Sequence, residues 1–299
     1  MDAKYIILLM LGILTVVFTF FFFKDVLKHK SEPAVGADGV HRPLWISAII
    51  GMVTNFFDAL GIGSFAPSTA LFRATKTVDD AMIPGTLNVA YTLPMIVMAF
   101  WYIDSVEVEF LTLISLIGIS SLGAWLGAGV VSKMSKRTIR LIVGIALSLT
   151  AIAMILQAFD IITGLGTGNA YGLSGMYLVI AIIGHFILGA LATAGVGTYA
   201  PSMAIIFMLG LSPAVAFPIM MGSAAFLCPI AGMKFVEEGK YARKQSFVMA
   251  LSGMVGAFLA VNLFTNIPLT ALKWLVIAVV IYTSITMLKD YFKDKKTTA

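Results

Sequence analysis

The chain has 299 residues, 60% hydrophobic and only 12% charged, with a formal net charge of +5 and a mean hydropathy of +0.98. Soluble domains carry about 25% charged residues, so this composition excludes an ordinary soluble protein and indicates a polytopic membrane protein. The basic excess lies in short loops between apolar runs, where it sets topology and gives no reason to expect a nucleic-acid partner. The single cysteine, Cys228, excludes a disulfide framework.

Residues 5–23 are apolar over nineteen positions, about 28 Å of helix. A cleaved signal has an apolar region of about 7–15 residues and a small-residue cleavage site. Here Lys24-Asp25 follows instead, so 1–27 is expected to be a retained transmembrane helix. The polar linker 28–43, with Pro33, Gly36 and Gly39, is expected to be mobile or to lie along the surface. Helices are predicted over 44–59 and 68–74, then from an Asp79 or Asp80 cap to about residue 101, then over 110–131 and 139–159. After a Gly-rich loop at 160–175, helices are predicted over 176–192, 203–209, 213–233, 246–264 and 269–287, with a basic tail at 293–299.

One decapeptide occurs twice. Gly61-Ile62-Gly63-Ser64-Phe65-Ala66-Pro67-Ser68-Thr69-Ala70 recurs 134 residues later as Gly195-Val196-Gly197-Thr198-Tyr199-Ala200-Pro201-Ser202-Met203-Ala204, with six of ten positions identical. Pro84 and Pro218 share that offset, and Gly123-Ala124-Trp125-Leu126 matches Gly256-Ala257-Phe258-Leu259 at 133. The chain therefore reads as two related repeats, 44–159 and 176–292, behind one extra helix. Within each decapeptide the glycines break a helix and the proline fits the first turn of the next.

The helices flanking each break are shorter than the roughly 20 residues of a full span. Each broken pair is either one distorted crossing or a re-entrant hairpin. With hairpins there are seven crossings, and of the 20 Lys and Arg residues only Lys4 and Lys273 fall outside. With nine crossings the best split of those 20 is 12 to 8. The positive-inside rule favours hairpins. Each repeat then holds one hairpin and three transmembrane helices. Because three is odd, the second repeat is inverted relative to the first, the architecture of a secondary transporter.

A helix start in the membrane offers unpaired N–H groups and a partial positive charge, which together suit an anion. The expected substrate-binding residues are Gly61, Gly63, Ser64, Pro67, Ser68 and Thr69, with Gly195, Gly197, Thr198, Pro201 and Ser202, the free N–H groups beginning at Ser68 and Ser202. Asp58, inside an apolar run, is read either as a proton carrier or as a hydrogen-bonded cap of the hairpin. His185 reads as a structural hydrogen-bonding group that could also titrate, while Asn55 and Asn88 are candidates to line the cavity. Gly123, Gly253 and Gly256 read as close helix packing. No metal-ligand spacing is present and no cofactor is expected.

The duplicated Gly-x-Gly-(Ser/Thr)-(Phe/Tyr)-x-Pro motif resembles the sulfite exporter TauE/SafE family, also called toluene-sulfonate uptake permeases. So do Gly123-Ala124-Trp125-Leu126 and the basic loop at 133–140 that follows. The resemblance covers about residues 43–292. It implies a bacterial plasma-membrane permease of seven or eight crossings that moves sulfite, sulfonates or related anions, with a cytoplasmic C-terminus from the charge count. An anion channel would need a continuous pore and a ring of filter groups. An intramembrane enzyme is disfavoured: Gly172-Leu173-Ser174-Gly175 is a weak match to a serine-protease motif, and His185 lies about 16 Å further along a helix.

Overall fold

The computed structural model describes residues 4–79, 82–131, 169–192, 198–264 and 268–297, together with 141, 144–145, 147–149, 151–152, 155–156 and 159. The fold is all-helical: α1 (Lys4–Lys28), α2 (Leu44–Ala59), α3 (Phe65–Thr75), α4 (Ile83–Ser105), α5 (Phe110–Val131), α6 (Gly175–Ala192), α7 (Tyr199–Met208), a 3-10 turn (Pro213–Val215), α8 (Ala216–Glu238), α9 (Arg243–Phe264) and α10 (Leu269–Thr297). The described residues between 141 and 156 are helical too. Among the described residues, β pairing is confined to the isolated bridges Val35–His41 and Ala170–Leu211. Five of the described helices are long and apolar enough to cross a membrane: Lys4–Lys28, Ile83–Ser105, Gly175–Ala192, Pro213–Glu238 and Arg243–Leu263.

The chain divides into two compact units. The first combines Met1–Ser105 with Ala224–Asn266, and the second combines Val106–Ser223 with Ile267–Ala299. Each unit thus takes helices from both sequence repeats. In the first, α9 packs along α2 and α4, and α1 lies against α4. The apolar stretch of α4 is 78% buried and that of α1 only 22%, so α4 is the core helix and α1 a peripheral one. Tyr91, Met98 and Tyr102 of α4 and Phe18 and Phe22 of α1 are fully enclosed. In the second unit α5 packs along α6, and α7 lies against α6 and α10.

Inside a bilayer, helices gain little from leaving lipid, so close approach through small residues holds them together. In the second unit a Cβ on Gly123 would lie 2.1 Å from the carbonyl oxygen of Phe186, and one on Gly189 would lie 1.9 Å from that of Ser120. In the first unit a Cβ on Gly256 would lie 2.1 Å from the carbonyl oxygen of Met52, and one on Gly253 would lie 2.6 Å from Asn55 Nδ2. Gly123 and Gly256 occupy matching places in the two repeats, as do Met52 and Phe186. The same helix crossing is built twice, with the contributing repeats exchanged.

The linker between α1 and α2 lies along the surface of the first unit. Gly36 and Val40 pair across a tight turn, Ala37 N–H donates to the Lys76 carbonyl at 3.0 Å, and Gln245 Nε2 donates to the Val35 carbonyl at 3.0 Å. Beside it, Arg243 at the start of α9 donates to Asp25 at 2.8 Å and to Glu32 at 3.1 Å, and Tyr241 donates to Asp25 at 2.5 Å. These bonds tie the end of α1 to the start of α9.

Candidate functional site: two broken helices

In the first unit α2 stops because its C-terminus closes a Schellman motif. Gly61 N–H donates to the Asp58 carbonyl at 2.8 Å and Ile62 N–H to the Phe57 carbonyl at 3.2 Å. The motif needs a left-handed residue, and Gly61 supplies it at φ 88°. Gly63, at φ 87°, turns the chain a second time. Ser64 then precedes α3, whose third residue is Pro67.

The helix restart lies earlier than the sequence reading placed it. Ser68 N–H is already helical, bonded to the Ser64 carbonyl at 3.0 Å. The N–H groups without a preceding helical carbonyl are those of Ser64, Phe65 and Ala66, since Pro67 has none. The hydroxyls of Ser68 and Thr69 turn back to carbonyls four residues earlier, Ser64 at 2.7 Å and Phe65 at 2.9 Å. Ser68 is also bonded to the Tyr91 hydroxyl, which lies 2.8 Å from Thr54 Oγ1, and Thr54 donates to the Ile50 carbonyl at 2.6 Å. Tyr91 and Thr54, which the sequence did not single out, therefore complete a buried hydroxyl chain around Ser68. Within an apolar run neither had a spacing that marked it.

Asp58 is fully buried at the end of α2. The Ser64 hydroxyl and N–H face its carboxyl. Neither closes to a formed bond: both Asp58 oxygens and Ser64 Oγ are buried without a hydrogen-bond partner among the described residues. Among the described residues, Tyr91, Tyr102 and Cys228 feel its charge. Tyr102 donates to the Ala59 carbonyl at 2.7 Å, next to Asp58 in the chain. Asn55, one turn before Asp58, donates to the Gly51 carbonyl at 2.8 Å, while its Oδ1 is buried without a partner among the described residues. Asn88 bonds back to the Pro84 carbonyl at 2.9 Å and joins neither group.

In the second unit, Gly195 and Gly197 lie outside the described residues, whereas Thr198 directly precedes α7 and Pro201 is again the third helical residue. Ser202 N–H is bonded to the Thr198 carbonyl at 3.0 Å, matching Ser68. His185 reaches this helix. It is buried on α6, with Nδ1 2.9 Å from the Ala181 carbonyl oxygen and Nε2 3.0 Å from Ser202 Oγ. Ser174 is exposed, so the serine that meets His185 is Ser202. α7 ends as α2 does: Gly210, at φ 85°, donates to the Phe207 carbonyl and Leu211 to that of Ile206.

The two restarts thus share a proline at the third position and a serine after it, but differ in the titratable neighbour, Asp58 in one and His185 in the other. Among the described residues no group of three or more His, Cys, Asp or Glu could hold a metal ion.

One protein-family description, Sulfite exporter TauE/SafE, matches this chain over residues 1–154. The match takes in α1 and the linker, which the sequence reading left outside the resemblance. No curated protein and no solved structure matches the chain.

Proposed function

The chain belongs to the sulfite exporter TauE/SafE family of membrane transporters, and from that premise we propose that it is a secondary transporter moving sulfite, sulfonates or related small sulfur anions across the bacterial plasma membrane by alternating access. The observation that carries this reading is the helix restart at Ser64. Two left-handed glycines bring the chain to a helix whose first N–H groups have no helical partner. A charge at membrane depth costs at least about 2.5–3.5 kcal/mol, and each helix end offsets about 0.3–2 kcal/mol of that. The Thr198 restart offers the same chemistry from the other repeat. Each restart is its own anion site: in the first unit the N–H groups and the Ser64 hydroxyl bind, with Ser68 as the supporting residue, and in the second unit Thr198 and Ser202 take the same parts.

Asp58 makes the transport proton-coupled. Its carboxyl faces the same Ser64 N–H and hydroxyl that the anion requires. An ionised Asp58 competes with the substrate for that helix start, and a protonated one yields it, so proton uptake at Asp58 accompanies anion binding.

Purified protein in liposomes tests the reading. Sulfite or methanesulfonate flux should saturate with concentration, accelerate along an imposed proton gradient and weaken in Ser64→Ala. Flux that rises linearly without saturation identifies a channel instead, and comparison of inward and outward gradients reads the direction.

A further inference from the structure

The serine after the proline holds the same place in both repeats, yet its partner differs. Ser68 is locked by the Ser64 carbonyl and the Tyr91 hydroxyl, groups that neither gain nor lose a proton in the physiological range. Ser202 is held by His185, the one side chain type whose ordinary titration falls within that range. The Ala181 carbonyl oxygen can only accept, so Nδ1 of His185 carries a hydrogen. In the neutral ring Nε2 is then the acceptor, and the single hydroxyl hydrogen of Ser202 is committed to it. A proton added at Nε2 reverses the bond: Nε2–H donates to Ser202 Oγ, and the hydroxyl hydrogen is released to point elsewhere.

We propose that His185 is a proton-linked positioning residue whose protonation frees the Ser202 hydroxyl to donate to an anion at the start of α7, so that proton uptake and anion binding there promote each other. The inference rests on the reading of α7 as an anion-binding helix. It is balanced in charge: a buried imidazolium needs a counter-charge, and the bound anion supplies it. The coupling is reciprocal by linkage. Among the described residues of the elements packed on α6, none competes for the role. α6 packs on α5 and α7; α5 carries no titratable side chain, α7 carries only Tyr199, and α6 itself carries only Tyr177, two turns earlier. The intervening residues Thr193, Ala194, Gly195, Val196 and Gly197 carry none.

The test is methanesulfonate binding to the purified full-length protein by titration calorimetry between about pH 5 and 8, in an Asp58→Asn background that removes that carboxyl's own proton. Methanesulfonate stays ionised throughout, so the ligand contributes no titration. Affinity should rise as pH falls, approaching tenfold per pH unit, with proton uptake seen as a buffer-dependent enthalpy. His185→Gln should flatten the slope, and Ser202→Ala should flatten it and weaken binding at low pH. A merely structural histidine would change affinity or melting temperature at every pH and leave the Ser202→Ala slope intact, which overturns the proposal. Binding with no pH slope before any change at His185 or Ser202 overturns it alone. Absence of binding for both methanesulfonate and sulfite at every pH in the unsubstituted protein removes the transport reading, and the proposal with it.

Discussion

Gly123 of α5 rests on the backbone of Phe186 in α6 so closely that a Cβ would stand 2.1 Å from the Phe186 carbonyl oxygen. The obstacle is backbone, which cannot rotate away. Gly123→Ala should therefore separate the two helices and cost about 1–3 kcal/mol, read as a lower melting temperature in detergent. Gly118, five residues earlier on the same helix, has nothing within 4 Å of its Cβ position. Gly118→Ala should be neutral or stabilising by up to about 1 kcal/mol, from helix propensity alone. Equal loss in both variants would remove the packing argument.

Lys76 follows α3 at φ 54°, the left-handed region where a side chain is strained. Its counterpart in the second repeat is Gly210, at φ 85°. The contact Lys76 makes with the linker uses its carbonyl, which a glycine retains. Lys76→Gly should stabilise the protein by about 0.5–1 kcal/mol. A drop in melting temperature would assign the lysine side chain a contact that outweighs the strain.

Asp58→Asn keeps the size of the side chain and removes its proton exchange. In liposomes this variant should bind methanesulfonate while its flux responds less to a pH gradient than that of the unsubstituted protein, the remainder being the share carried by His185. A wild-type response to the gradient would take Asp58 out of the coupling mechanism.

Tyr241 lies between α8 and α9. Burial, and then its hydrogen bond to Asp25 and that carboxylate's charge, push its hydroxyl above the usual tyrosine range. Because the folded value is raised, the associated stability is fully present below about pH 10, the ordinary value, and is lost as pH rises above it. The melting temperature should fall in that alkaline range, and less steeply in Tyr241→Phe. That variant should also lose about 1.5–3 kcal/mol at neutral pH, the worth of a hydrogen bond to a charged group.

The charge count places the linker 28–43 and the C-terminal tail on one side, the cytoplasmic one. Lys4 and Asp104, which it places outside, form an ion pair of 3.1 Å, while Asp25 and Arg243, which it places inside, pair at 2.8 Å. In a Cys228→Ser background, Ser31→Cys and Thr298→Cys should both be labelled by an impermeant maleimide from the cytoplasmic side. Labelling from opposite sides would exclude paired hairpins.

Local features were legible in the sequence wherever a residue type has one conformational use. The reading placed α2 at 44–59 and α5 at 110–131, and the structure has Leu44–Ala59 and Phe110–Val131; Pro43 opens α2 and Gly61 closes it. The restarts came out three to four residues late because proline fits any position of a first turn, and that error displaced the free N–H groups from Ser68 to Ser64, Phe65 and Ala66. The pairing of α2 with α9 was not legible. Helices surrounded by lipid and protein are apolar on every side, so no hydrophobic period reveals the partner face. Only the glycines did, and they mark closeness without naming a neighbour. His185 was read as a hydrogen-bonding group, and it is one, but its bond to Ser202 across two helices has no sequence spacing to announce it.

Because α2 closes against α9, the first unit cannot be finished when its own N-terminal stretch has been made. A ribosome must synthesise well over a hundred further residues before the backbone of Met52 meets Gly256. During that interval α2 and α4 stand in the bilayer with their glycine-facing grooves filled by lipid or by the insertion machinery. A chain stopped after α5 should therefore be degraded, and supplying the remainder as a separate polypeptide in the same cell should rescue it.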